Sequence, residues 1–98
     1  MHSFAYKNGT LYCENVNLQE LADKEGTPLY VYSKQTILNH FHRLREALAP
    51  LNAEVAYAVK ASSNIAILNL MARNGAGFDI VSGGELFRVL KALSLIHI

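Results

Sequence analysis

The chain has 98 residues, of which 51 % are hydrophobic and 17 % are charged, and its formal net charge is +1. This length allows at most one small domain, and the composition is too apolar for an intrinsically disordered chain. The mixed charges form no basic stripe for nucleic acid and no polybasic patch for a membrane surface. The lone Cys13 excludes an internal disulfide, and no apolar run approaches the roughly 20 residues that span a bilayer. Because the N-terminus also lacks a secretory signal, we expect a cytoplasmic protein that binds neither nucleic acid nor a membrane.

The first 28 residues predict a hairpin followed by a helix. Asn8-Gly9 lies between two short runs that contain aromatic residues, and this dipeptide is a strong indication of a β-hairpin over residues 4–13. Asn17 is placed to cap a helix, with Glu20 at the capping-box position. Gly26 is expected to end that helix, since glycine readily adopts the C-terminal conformation.

From residue 29 onward, predicted strands and helices alternate. The strands are expected over residues 29–32, 53–59 and 77–81, and each is followed by a helix whose N-cap is Ser33, Asn64 or Ser82. The order β-α-β-α-β-α predicts a parallel sheet covered by helices. Since a closed eight-unit barrel needs about 250 residues, the chain is either a small open α/β sheet or the front of something larger.

Two histidines lie on the helix that follows Ser33, but their spacing argues against a metal site. His40 and His42 are two residues apart, so they do not share a helix face. A metal-binding pair needs a spacing of three or four. We therefore interpret both as ordinary surface or boundary histidines and predict no metal site.

The stretch 57-YAVKASSN-64 places a lysine where a buried strand gives way to a helix. If the strand continues through Lys60, Ala56 and Ala58 share its face and leave room beside it. The end of a parallel strand is where α/β folds place ligands. A deprotonated amine there can form an imine with a carbonyl compound, whereas a strand-end lysine can also simply reach solvent. The residues alone leave both interpretations open.

Two further features lie in the third predicted strand and just after it. Asp79 reaches the same end of the sheet as Lys60 if their strands are neighbours, and its carboxylate can then steady a positive charge; the alternative is a local bond to the backbone. The run 82-SGGE-85 contains no full phosphate-loop motif. Ser82 and Glu85 have the spacing of a capping box, which we favour.

The combination YAVKA and GFDIVSGGEL, with the lead-in TPLYVYS, resembles the N-terminal part of the fold-type III pyridoxal-phosphate-dependent decarboxylases. The diaminopimelate decarboxylases are the members it resembles most, and the likeness runs from about residue 4 to residue 92. It implies an α/β fold, namely the first β/α units of an alanine racemase-like (β/α)8 barrel, preceded by a β-hairpin that belongs to a missing β domain. The corresponding divisions are residues 1–28 for the hairpin and helix, and residues 29–92 for the partial barrel.

The resemblance also implies a function and a site. Lys60 would bind pyridoxal 5'-phosphate covalently, and Asp79 would lie beside it as a cofactor-binding residue. The implied substrate is a small amino acid, meso-2,6-diaminopimelate, decarboxylated to L-lysine by a homodimer. Ser62 departs from the asparagine of many family members, which puts one polar contact near the cofactor in doubt.

The tail 93-LSLIHI-98 departs from the family pattern and also resembles translated adapter sequence. We hypothesise that residues 93–98 are not native and that the chain is a truncated N-terminal piece, inactive alone. Two other functions stay open: an ornithine- or arginine-type decarboxylase, and a non-catalytic module that binds the cofactor. A fragment that folds only marginally is a further alternative, because an unclosed barrel exposes strand edges and apolar surface.

Overall fold

The computed structural model describes residues 1–95, which divide into a compact unit of Met1–Arg43 and a second compact unit that begins at Leu44. The elements in chain order are β1 (Phe4–Lys7), β2 (Thr10–Cys13), β3 (Val16–Asn17), α1 (Leu18–Glu25), α2 (Lys34–Leu48), β4 (Ala56–Ala58), α3 (Ile65–Arg73), β5 (Gly77–Asp79) and α4 (Gly83–Ser94). Short 3-10 turns cover Ala49–Leu51 and Val59–Ala61.

The first unit begins with the predicted hairpin. Strands β1 and β2 pair antiparallel, with Phe4 opposite Cys13 and Lys7 opposite Thr10. The two-residue loop has φ of 52° at Asn8 and 81° at Gly9, as a type I′ turn requires. Strand β3 adds to the other edge of β2 and was missed by the sequence analysis, because a two-residue strand shows no alternation.

Helix α1 has the ends that the sequence predicts. The Asn17 side chain accepts hydrogen bonds from the backbone N–H of Gln19 (2.9 Å) and of Glu20 (3.1 Å), which satisfies two N–H groups that lack an intrahelical partner. Gly26 has φ of 88° and donates its N–H to the carbonyl of Ala22 at 2.8 Å. Both predicted ends of this helix are confirmed.

The predicted strand over residues 29–32 is wrong. No strand of residues 1–95 pairs with this segment, and the side chains of Tyr30 and Tyr32 are 85 % and 54 % exposed. The aromatic and β-branched composition favours an extended chain, but a strand also requires a hydrogen-bonded neighbour. The next helix does begin as predicted, because Ser33 Oγ accepts from the N–H of Thr36 at 3.0 Å.

Glu14 connects the turn after β2 to the start of α2. Its carboxylate accepts hydrogen bonds from Ser33 Oγ (2.8 Å) and from the backbone N–H of Gln35 (3.1 Å). These two bonds stabilise the ionised form and lower the pKa of Glu14 below its ordinary value of 4.5. An acidic group therefore caps α2 across a gap of about twenty residues in sequence, which no local pattern predicts.

The second unit is built on a parallel pair of strands. Strands β4 and β5 pair with Ala56 opposite Gly77, Tyr57 opposite Phe78 and Ala58 opposite Asp79. Helix α3 is the crossover between them, as parallel strands require. Asn64 caps α3 through a 2.9 Å bond from the N–H of Ala66, which confirms the predicted start of that helix.

The strand predicted over residues 53–59 is shorter than expected. Strand β4 contains only Ala56–Ala58, and Lys60 lies in the 3-10 turn that follows rather than at the end of the strand. Strand β5 likewise ends at Asp79. Once the partner strand ends, the backbone of Val59 has no ladder to continue, so the chain turns.

The core of the second unit confirms which face of the predicted strand packs under helices. Val59 and Leu68 are 0 % exposed and form a cluster with Val89 and Ala92 of α4. Partly buried apolar side chains pack against this cluster, namely Tyr57, Ile65, Phe78, Ile80 and Leu93. The opposite face carries Ala56 and Ala58, which are exposed or half-buried.

The tail and the domain boundary stay predictions. Leu93 and Ser94 belong to α4, and residues 96–98 lie outside the described residues. The proposed non-native origin of residues 93–98 is therefore not decided by the fold. The predicted boundary after residue 28 concerns the domains of a complete enzyme. The division of this chain into two compact units falls after Arg43 in the sequence.

Candidate functional site

Lys60 lies just beyond the carboxyl end of β4, with its side chain exposed. The neighbouring Val59 is fully buried and fixes the backbone on one side of the lysine. Ala61 after it and Ala58 two residues before it are small, and the intervening Val59 is turned into the core. The lysine thus occupies the edge of a parallel sheet where α/β proteins bind ligands.

Asp79 is the last residue of β5 and lies opposite Ala58, two residues before Lys60. The expectation that the two strands are neighbours is confirmed by this register. Both functional candidates therefore emerge from the same end of the same parallel pair. Asp79 is exposed, so its carboxylate is accessible to a bound molecule as well as to water.

The segment between Lys60 and α3 is held by two side chains that the sequence analysis did not single out. The Tyr57 hydroxyl donates to the backbone carbonyl of Ser62 at 3.0 Å. The Arg88 guanidinium, on α4, donates to the carbonyl of Ser63 at 3.3 Å. Tyr57 could have been noticed, because a tyrosine on the core face needs a partner for its hydroxyl. Nothing local in the sequence indicates Arg88.

The 82-SGGE-85 run forms a helix cap, as predicted. Ser82 Oγ accepts from the N–H of Glu85 at 3.1 Å. The Glu85 carboxylate reaches back and accepts from the N–H of Val81 at 2.9 Å. These two bonds cap α4, which begins at Gly83, four residues after Asp79; Glu85 bonds the N–H of Val81 instead of the Ser82 N–H that a capping box uses.

The two histidines of α2 and a surface cavity in the first unit lie elsewhere. His40 Nε2 forms a 2.9 Å hydrogen bond with the carbonyl of Met1, and His42 stacks obliquely beside Phe41 with ring centroids 5.5 Å apart. Within residues 1–95 no group of three or more potential metal ligands comes together. A cavity of about 360 Å³ in the first unit is lined by residues such as Tyr6 and Leu18, and it contains neither Lys60 nor Asp79.

The site fits the aldehyde cofactor that the sequence resemblance implies. An exposed primary amine can condense with an aldehyde, and the small side chains next to it leave room for a ring. The carboxylate of Asp79 at the same strand end can compensate positive charge on a cofactor nitrogen or a substrate amine. That Lys60 and Asp79 hold the cofactor stays a prediction, and their shared strand end is compatible with it.

No helix of the described residues is both long and apolar enough to cross a lipid bilayer. This finding concerns residues 1–95 and the elements they form.

Solved structures share this fold. The crystal structure of diaminopimelate decarboxylase from M. jannaschii superposes with a TM-score of 0.87 at 38 % sequence identity, covering 93 % of this chain and 22 % of that one. A second structure of that enzyme, in co-complex with L-lysine, gives the same TM-score at 39 % identity. The predicted fold class is confirmed by these neighbours, and the described residues form a small antiparallel sheet followed by a parallel pair of strands.

Several curated proteins of similar sequence are named diaminopimelate decarboxylase. The chain is 50 % identical over 92 residues to diaminopimelate decarboxylase of Haemophilus influenzae, and 53 % identical over 83 residues to that of Neisseria meningitidis serogroup B. These matches cover 94 % and 85 % of this chain. The chain spans only about a fifth of the length of either relative, 22 % and 20 %.

A family model described as "Pyridoxal-dependent decarboxylase, pyridoxal binding domain" matches residues 34–94. The match includes Lys60, Asp79 and the cap of α4, and it covers more than half of the chain. The cofactor of this family is pyridoxal, as the model's description states. The chain therefore belongs to the pyridoxal-dependent decarboxylases and contains part of their pyridoxal-binding domain.

Proposed function

We propose that this chain provides the lysine-bearing part of the cofactor site in a diaminopimelate decarboxylase, which converts meso-2,6-diaminopimelate to L-lysine and carbon dioxide. The observation that carries the proposal is the joint position of Lys60 and Asp79 at the end of a parallel strand pair. That position lies inside a segment matched by the pyridoxal-binding family model.

Lys60 acts through its amine. Lys60 would hold pyridoxal phosphate covalently, since its side chain is exposed and a neutral Nζ is a nucleophile toward an aldehyde. The cofactor, when bound, supplies an electron-withdrawing ring that accepts the electron pair left when carbon dioxide departs. Asp79 lies opposite Ala58 and contributes negative charge at the same end of the sheet. This charge favours the protonated form of a nitrogen on the bound cofactor or substrate.

The substrate follows from the relatives rather than from the described site. The similar curated proteins are named diaminopimelate decarboxylases, and one solved relative was crystallised with L-lysine. Because the chain spans about a fifth of those proteins, the activity belongs to an assembly that includes the remaining residues. We extend the proposal to a homodimer in the cytoplasm that binds no nucleic acid. The free, buried thiol of Cys13 fits a reducing compartment.

The first experiment tests the lysine. The chain is incubated with pyridoxal phosphate, the product is reduced with borohydride, and the modified lysines are mapped by mass spectrometry. We expect preferential modification of Lys60. Similar modification of the other lysines, Lys7, Lys24, Lys34 and Lys91, would show that no cofactor site has formed.

The second experiment tests the substrate. In a chimera, the matched residues of this chain replace the corresponding segment of the Haemophilus influenzae enzyme. We expect the chimera to release carbon dioxide from meso-diaminopimelate and not from ornithine or arginine. Lys60→Arg in the same chimera should lower the rate by about a thousandfold or more. A chimera that binds the cofactor but leaves diaminopimelate unchanged would contradict the proposed substrate.

A further inference from the structure

We propose that Tyr57 and Arg88 are positioning residues. They hold residues 61–64, the lysine segment, so that the amine of Lys60 is presented at the strand end. This inference rests on the proposed role of Lys60. It assigns a function to two side chains that touch the backbone of the lysine segment but not the lysine itself.

The lysine segment is fixed at its two ends and needs support between them. On one side Val59 is fully buried in the core. On the other side Asn64 caps α3 through the N–H of Ala66 at 2.9 Å. Between these points the chain leaves the 3-10 turn and belongs to no helix or strand. A short irregular segment with exposed backbone opens easily unless side chains hold it.

Tyr57 holds the lysine segment through its hydroxyl, while its ring packs at the boundary of the core. Its ring packs edge-on against Phe78 at the core boundary, with centroids 6.4 Å apart and planes at 89°. Its hydroxyl donates to the Ser62 carbonyl at 3.0 Å in a partly buried position. The bond goes to the backbone, so it does not depend on the serine side chain that departs from the family pattern.

Arg88 holds the lysine segment through its guanidinium and joins it to the helix that follows Asp79. Its guanidinium donates to the Ser63 carbonyl at 3.3 Å. Arg88 lies on α4, which begins shortly after Asp79 and is capped by Ser82. The bond therefore links the backbone near Lys60 to the helix that follows Asp79, and it restrains the two sides of the site relative to each other.

Two variants remove the donating groups and keep most of each side chain's bulk. Tyr57→Phe keeps the ring in the core, and Arg88→Met keeps an apolar stem without donors. The matched controls are Tyr30→Phe, on an exposed tyrosine in the first unit, and Arg88→Lys, which retains a cationic donor. Arg73→Met is a further control, because Arg73 bonds to Asn69 and the carbonyl of Leu95 instead of the lysine segment.

Two measurements are made on the whole chain. Hydrogen exchange of the Ala66 and Leu68 amides, which donate to Asn64 at the end of the segment, should accelerate without cofactor by roughly fivefold in Tyr57→Phe and roughly twofold to fivefold in Arg88→Met. In borohydride trapping with pyridoxal phosphate, the ratio of label on Lys60 to label on Lys91 should fall by similar factors. Arg88→Lys should recover part of both effects, and the other controls should match the unsubstituted chain.

The outcomes separate this inference from the proposed function. If the hydrogen-exchange rate is unchanged in both variants, the positioning role is overturned, whatever the labelling ratio shows. Faster exchange with an unchanged labelling ratio also overturns it, because the segment then moves without affecting the lysine. If the unsubstituted chain shows no preference for Lys60, the proposed function fails, and the positioning role fails with it even where exchange responds.

Discussion

Ala58 of β4 lies directly opposite Asp79 of β5 in a parallel ladder, and this register places Asp79 beside the turn that carries Lys60. The two charged residues are nineteen positions apart in the sequence. They share one end of the sheet because the crossover through α3 returns the chain in the parallel direction. The candidate site is thus a product of strand pairing.

Asp79→Asn tests the electrostatic part of that relationship. Removing the carboxylate should weaken the adduct of Lys60 with pyridoxal phosphate by roughly twofold to fivefold, because exposed charge pairs contribute little in water. The adduct is quantified by borohydride trapping across a range of cofactor concentrations. The difference should vanish near ~1 M salt, where the screening length is about 3 Å. A difference that persists at high salt would contradict an electrostatic role.

Leu68→Ala tests the core that supports the lysine turn. Leu68 is 0 % exposed and contacts the cluster that contains Val59, so the substitution leaves a cavity. We expect a loss of about 2–5 kcal/mol in the free energy of unfolding, measured by urea titration with circular dichroism. The matched control is Leu90→Ala, on a side chain that is 56 % exposed, where the loss should stay within about 1 kcal/mol. Equal losses at the two leucines would contradict the described core.

Glu14→Gln tests the acidic cap of α2. The bonds from Ser33 and from the N–H of Gln35 lower the pKa of Glu14 in the folded state. Its contribution to stability is therefore present above the ordinary pKa of 4.5 and is lost as the pH falls through the lower folded value. The unsubstituted chain should be more stable than Glu14→Gln at about pH 7, and the gap should narrow toward about pH 3.

The control for this cap is Ser33→Ala. Because Ser33 Oγ donates to the Glu14 carboxylate, its removal should also reduce the pH dependence. The double variant should lose less stability than the sum of the single variants, since the two residues share one interaction. Thermal midpoints over the pH range give the comparison. A gap between the unsubstituted chain and Glu14→Gln that is constant with pH would contradict the role of the carboxylate.

Gly9→Ala and Gly83→Ala are the same substitution with opposite expected effects. Gly9 has φ of 81° in the hairpin turn, so alanine there should cost about 1–2 kcal/mol even though the space is open. Gly83 begins α4 without a positive φ, and an added Cβ meets no atom within 4 Å. Alanine there should be neutral or stabilising by up to about 0.5 kcal/mol. Both changes are measured as unfolding free energies by urea titration. A similar loss of stability at the two positions would contradict the turn geometry.

Local features of the chain were predictable because they depend on neighbouring residues. The hairpin turn at Asn8-Gly9 and the caps at Asn17, Ser33 and Ser82 formed as expected. Each is a bond or a dihedral preference within about four residues, which a sequence pattern contains directly. The choice of Lys60 as a candidate nucleophile and the burial of Val59 were predictable for the same reason, because side-chain chemistry and strand alternation can both be read from a few adjacent residues.

Only the tertiary structure decided where the strands begin and end, and what surrounds Lys60. The segment 29–32 has strand composition but no partner strand within residues 1–95, and β4 ends at Ala58, where its partner strand ends at Asp79. The bonds from Tyr57 and Arg88 to the lysine segment, and the cap of α2 by Glu14, join residues that the sequence separates. The physical reason is that hydrogen-bonded pairing and side-chain reach depend on how the chain folds back on itself, whereas caps and turns depend only on adjacent residues.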